Sequence, residues 1–82
     1  MDELLDQYAL LLHRIGAIRC VAARFNTRVI SPNLAGLKYS QSELVKLAKK
    51  RDELNVRAGQ LEAEGNAIMD RIEAAMMAEL KD

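Results

Sequence analysis

The sequence predicts an all-α fold: an antiparallel helical hairpin with coiled-coil-like packing and a long second helix, assembling into an oligomeric helical bundle. Three observations predict it. Apolar residues recur at alternating spacings of four and three in two long segments, which is the seam of a heptad repeat. The single proline, Pro32, lies between those segments. More apolar and small residues are present than two helices can cover on each other.

In the first segment the seam is Leu4, Tyr8, Leu11, Ile15, Ile18, Ala22 and Phe25, widened by Leu5 and Leu12. A helix is predicted over about 2–26, with Asp2 as its N-cap and acids in the first turn, where the helix dipole favours them. The stretch of about 27–39 holds the β-branched pair Val29-Ile30, then Pro32 and Gly36. Pro32 biases Ser31 away from helix. This is the expected connection, with Val29, Ile30, Leu34 and Leu37 folding back over the end of the bundle. Ser40-Gln41-Ser42-Glu43 fits a capping box ahead of an apolar run. The second helix is therefore predicted over about 41–81. Its seam is Leu44, Leu47, Arg51, Leu54, Ala58, Leu61, Gly65, Ile68 and Ile72, drifting near the end toward Met69, Met76 and Leu80.

The two helices are unequal. Forty residues span roughly 60 Å and the first helix under ~40 Å, so the first should cover the second only to about residue 64. That leaves Gly65 to Leu80 apolar on one side and without a partner in its own chain. Gly59 and Gly65 each cost about 1 kcal/mol relative to Ala in a helix interior; of a bend and the close approach of a second helix, the alternation of Ala58 and Gly65 with Leu54, Leu61 and Ile68 favours close approach. The first helix has a second stripe, Ala9, His13, Gly16, Cys20 and Ala23, on the face away from its seam. A helix with small or apolar residues on two faces is usually an interior one. The predicted homo-oligomer interface, in a dimer or higher bundle, is that stripe with Gly65, Ile68, Met69, Ile72, Met76 and Leu80.

Composition bounds the rest. The 82 residues form a single helical domain near the lower size limit for folding alone. One cysteine and one histidine preclude an internal disulfide and a Cys/His metal cluster. The acidic start Met1-Asp2-Glu3 is unlike a signal peptide, and no apolar run approaches a membrane span. A reducing, cytoplasmic setting is expected, with no cofactor and no membrane contact.

The net charge of zero hides a separation along the chain. Residues 1–6 sum to −3, residues 7–51 to +8, and residues 52–82 to −5. In a hairpin the bases Arg24, Arg28, Lys38, Lys46, Lys49, Lys50 and Arg51 gather at the turn end as a candidate partner-binding patch. Such a patch binds phosphates by counterion release or docks an acidic protein surface; paired in trans with the acidic tail, it would serve only assembly.

The function expected is a small non-enzymatic interaction module, an inhibitor, adaptor or chaperone-like accessory protein acting on another protein with an acidic surface. The alternative is a nucleic-acid-binding accessory that uses the same basic end. Few aromatics interleave with the bases, so a stacking platform for single strands is poorly supported. The long connection does not match a helix-turn-helix. His13 and Cys20 lie seven residues apart, about 10 Å along a helix, too far for a nucleophile–base pair. Arg28, Lys38, Arg51 and Asp52 are what a small helical enzyme would use to hold an anion, as chorismate mutases do, but that fold closes its pocket with a third helix. Helical hairpins of this size are common among phage or plasmid accessory proteins and secretion chaperones, an analogy of size and fold alone.

Overall fold

A computed structural model of the chain describes residues 1–31 and 38–81. Among the described residues the regular structure is two helices packed on each other, α1 at Asp2–Ile30 and α2 at Gln41–Leu80. They run antiparallel. Tyr8 and Leu11 lie against Gly65, Arg19 pairs with Glu62, and Asn26 meets Arg51, so numbers rise on one helix as they fall on the other.

The seams hold residue for residue. Every seam position on both helices is buried or half-buried. Leu11, Ile15 and Leu61 form the centre, with Ile18 and Ile68 packed against them. Large residues of one helix face small residues of the other: Leu11 Cδ2 stands 3.4 Å from where a Cβ on Gly65 would be. One heptad along, the same register sets Ile18 across from Ala58, which is 0% exposed. Small residues at alternate layers let the two backbones approach, and dispersion contacts grow with that approach.

Three sequence expectations are corrected. The first helix does not stop at about 26 but continues to Ile30. The Thr27 hydroxyl donates to the Ala23 carbonyl at 3.0 Å, so this β-branched residue extends the last turns instead of breaking them. The helix ends when the Ser31 N–H closes on the Thr27 carbonyl at 2.9 Å, at the residue that precedes Pro32. Secondly, Met1 occupies the N-cap position and makes no side-chain cap, while Asp2 and Glu3 sit in the first turn. Thirdly, the register that sets Asn26 on Arg51 and Tyr8 and Leu11 on Gly65 brings the start of α1 level with Ile72, which is 3% exposed. Gly65, Ile68 and Ile72, expected to lack a partner in their own chain, are thus taken up by the hairpin itself.

The capping box is formed. The Glu43 N–H donates to Ser40 Oγ at 3.2 Å, and the Ser40 N–H donates to Glu43 Oε1 at 3.4 Å. α2 starts where the motif places it. Of the residues expected to fold over the end of the bundle, Val29 is half-buried, Ile30 is 67% exposed, and Leu34 and Leu37 lie outside the described residues.

Candidate interaction surfaces

The back of α1 is the first surface. Ala9, His13, Gly16, Cys20 and Ala23 are all exposed, on the side turned away from α2. Four large apolar residues lie around this stripe, Leu5 and Leu12 on one flank and Leu10 and Val21 on the other, each between 44% and 55% exposed. Leu5 and Leu12 therefore flank the seam and do not complete it. Leu10 and Val21 escaped the seven-residue bookkeeping because they belong to neither stripe. The signal was nonetheless present, since Arg14 and Arg19 are the only Arg, Lys, Asp or Glu residues between Tyr8 and Ala23. Arg19 is also spoken for, in an ion pair with Glu62 beside the seam.

The free end of α2 contributes a smaller patch. Met76, Met77 and Leu80 are more than half exposed, whereas Met69 is half-buried. Of the expected interface on α2, this end and Met69 remain outside the hairpin's own core. A shallow groove lined by Tyr8, Leu12, Ile15, Glu62, Gly65 and Asn66 runs beside the seam on the flank that carries the Arg19–Glu62 pair.

The turn end of α2 is the second surface, and the structure divides the basic cluster. Arg51 is half-buried at its seam position; its Nη1 donates to Asn26 Oδ1 at 2.9 Å and its Nε to Asp52 Oδ1 at 3.0 Å. It is a structural residue that ties the two helices together. Arg28 lies over the Phe25 ring, 5.9 Å from its centroid, a cation–π contact on α1. Lys38, Lys46, Lys49 and Lys50 are exposed, as is Arg24. Lys50 makes a loose pair with Glu53 at 3.8 Å, and Lys46 and Lys49 have no ion-pair partner among the described residues. Positions 46, 49 and 50 fall three and four residues apart, so the three ammonium groups share one face of α2. Between them lie two open hollows, one lined by Lys46, Lys49, Lys50 and Glu53, the other by Tyr39, Glu43, Lys46, Leu47 and Lys50. The second has an apolar floor with lysines at its rim.

Among the described residues no three His, Cys, Asp or Glu side chains come together in a way that could hold a metal ion. No described helix is long and apolar enough to cross a membrane. His13 and Cys20 are both exposed on α1, two turns apart. Comparison with protein-family models, with curated proteins and with solved structures finds no match to this chain.

Proposed function

We propose that this chain is a protein-interaction module that acts as a homo-oligomer, without catalysis, and docks an acidic protein surface at the turn end of α2. The observation that carries the reading is the lysine face of Lys46, Lys49 and Lys50, of which Lys46 and Lys50 also line the Tyr39–Leu47 hollow. Its charges are exposed and largely unpaired, unlike Arg19 and Arg51, which are engaged within the hairpin. An apolar floor with a basic rim suits a partner segment that offers a hydrophobic anchor beside carboxylates.

The same lysines can bind phosphates, and three ammonium groups on one helical face also favour nucleic acid as a second reading. The two separate on salt and on nuclease. Capture from the host lysate by the wild-type chain and by the Lys46→Glu, Lys49→Glu, Lys50→Glu triple variant, with and without nuclease, is the test. The reading expects a protein that is retained after nuclease treatment and lost with the triple variant. Capture that disappears with nuclease, together with duplex binding whose log K falls by about 0.9 per neutralised phosphate per decade of salt, would make it a nucleic-acid binder instead. A triple variant that still retains the protein would remove the lysine face from the reading.

A further inference from the structure

The back of α1 is an unpartnered face, and two features of the chain indicate what covers it. The first is area. The chain exposes 6273 Å² at a mass of 9.2 kDa. A folded monomer of that mass typically exposes roughly 4,900 Å², so the hairpin carries about 1,300 Å² more than its size requires. A stable interface of standard size buries about 800 Å² on each partner. The surplus is spread over an elongated hairpin of 64 × 18 × 15 Å, and it leaves room for an interface of that size on the back of α1.

The second feature is symmetry of charge and bulk about the middle of α1. Gly16 is the central residue of Asp2–Ile30, and a Cβ there would meet nothing within 4 Å. Packing within the hairpin thus gives no reason for a glycine in a position where glycine is unfavourable. Ala9 and Ala23 stand seven residues to either side of it. The acids Asp2, Glu3 and Asp6 are at one end of the helix, and Arg24 and Arg28 are at the other. A helix patterned in this way is complementary to itself when turned end for end. Gly16 then crosses Gly16, Ala9 lies on the partner's Ala23, and the first-turn acids come level with the partner's Arg24 and Arg28. Leu12 and Leu5 of one copy, which share the Gly16 face, come level with the partner's Cys20 and the partner's Thr27. A parallel arrangement would set acid on acid and arginine on arginine.

We infer that a second copy of this chain packs back to back on α1, antiparallel, with the two-fold axis at Gly16. The inference rests on the homo-oligomer proposed above and supplies its surface and orientation. It also divides the turn-end bases between two uses. Arg24 and Arg28 face the acids of the second copy, while Lys46, Lys49 and Lys50 belong to α2, across the hairpin from this face, and stay open to another partner.

The test measures mass by sedimentation, with helicity by circular dichroism. The wild type is expected to be a dimer at micromolar concentration. Gly16→Leu adds its side chain into open space in the hairpin, so helicity should be kept while association weakens roughly 10–100-fold, the scale of overpacking a close contact. Gly59→Leu is the matched control, since a Cβ at Gly59 on α2 also meets nothing within 4 Å; it should leave the dimer intact. Orientation is read from His13→Cys. Positions 13 and 20 of one chain are about 10 Å apart along the helix, beyond disulfide reach. In the antiparallel dimer, however, position 13 lies beside the partner's Cys20, and mild oxidation should give a covalent dimer. A folded wild-type monomer overturns this inference and the homo-oligomer together. A dimer that tolerates Gly16→Leu, or is broken by Gly59→Leu, overturns the inference and leaves the homo-oligomer standing. Should Gly16→Leu lose helicity, the cross-link alone decides, and its absence in the His13→Cys dimer overturns the antiparallel back-to-back packing.

Discussion

At Gly65 α1 packs directly on the backbone of α2, and replacing this residue tests the packing. A Cβ built there lies 3.4 Å from Leu11 Cδ2 and 3.6 Å from Tyr8 Cε2, ordinary contact distances. Gly65→Ala therefore fits, and it removes the backbone freedom that glycine gives the unfolded chain. The expected gain is about 1 kcal/mol from helix propensity. Gly65→Leu has nearly the same propensity, yet its outer carbons must displace Leu11 and Tyr8. Overpacking of that kind costs about 1–3 kcal/mol, so the leucine variant should be less stable than the alanine variant by that amount. Urea unfolding followed by circular dichroism measures the difference. All variants are compared at one protein concentration, so that the proposed association would contribute equally to each. In thermal melts about 1 kcal/mol corresponds to roughly 4–8 °C for a chain of this size. Gly59→Ala, in open space, supplies the propensity gain without a new contact. If Gly65→Ala destabilises, the helices are closer than described; if Gly65→Leu equals Gly65→Ala, α1 does not pack on this turn at all.

Three further outcomes follow from the same geometry. Leu61 is 3% exposed at the centre of the core beside Leu11 and Ile15, so Leu61→Ala should cost about 2–5 kcal/mol. In so small a core this shows as loss of the cooperative melt, and a sharp transition near the wild-type Tm would contradict it. Ser40→Ala removes the formed capping box and should cost about 1 kcal/mol, whereas Ser42→Ala, two residues later and without a cap bond, should be near neutral. The Arg19–Glu62 pair is 48% exposed on both sides, so a double-mutant cycle should return no more than about 1 kcal/mol, fading with salt.

The seam was legible because it is a periodic pattern that tolerates no ambiguity of face. Each of Leu4, Tyr8, Leu11 and Ile15 repeats in phase with the next, and a shift of one residue would put charges such as Arg14 and Arg19 into the core. The capping box was legible for a similar reason, since Ser40 and Glu43 satisfy each other locally without help from the fold. The end of α1 was less so. Val29 and Ile30 have low helix propensity, but the Thr27 hydroxyl and the Arg28–Phe25 contact hold the last turn, and propensity alone carries no such information. The register was not legible in the sequence either: it sets Asn26 on Arg51 and Tyr8 and Leu11 on Gly65, so the start of α1 takes Gly65, Ile68 and Ile72 into the hairpin. The division of the bases was also invisible in one dimension. Arg51 and Lys50 are neighbours in sequence, yet one faces Asn26 in the seam and the other faces out.

That division bears on what the charges do. Apolar contact between faces such as the back of α1 does not depend on ionic strength at ordinary salt, whereas exposed charge pairs are worth about 0–1 kcal/mol each. Charges of this kind select orientation and partner more than they hold an assembly together. Raising salt from about 0.1 M to 1 M shortens the screening length from roughly 10 Å to 3 Å. Under the proposed reading the dimer should keep its mass across that range, because Leu5, Leu12 and the Ala9–Gly16–Ala23 stripe hold it, while capture of the acidic partner through Lys46, Lys49 and Lys50 should fall steeply. Sedimentation and partner capture, measured on the same samples, separate the two effects. A dimer that comes apart on added salt alone, before partner capture is affected, would mean that the bases and the acidic ends of the chain are the glue of the assembly, and the lysine face would then have no independent role.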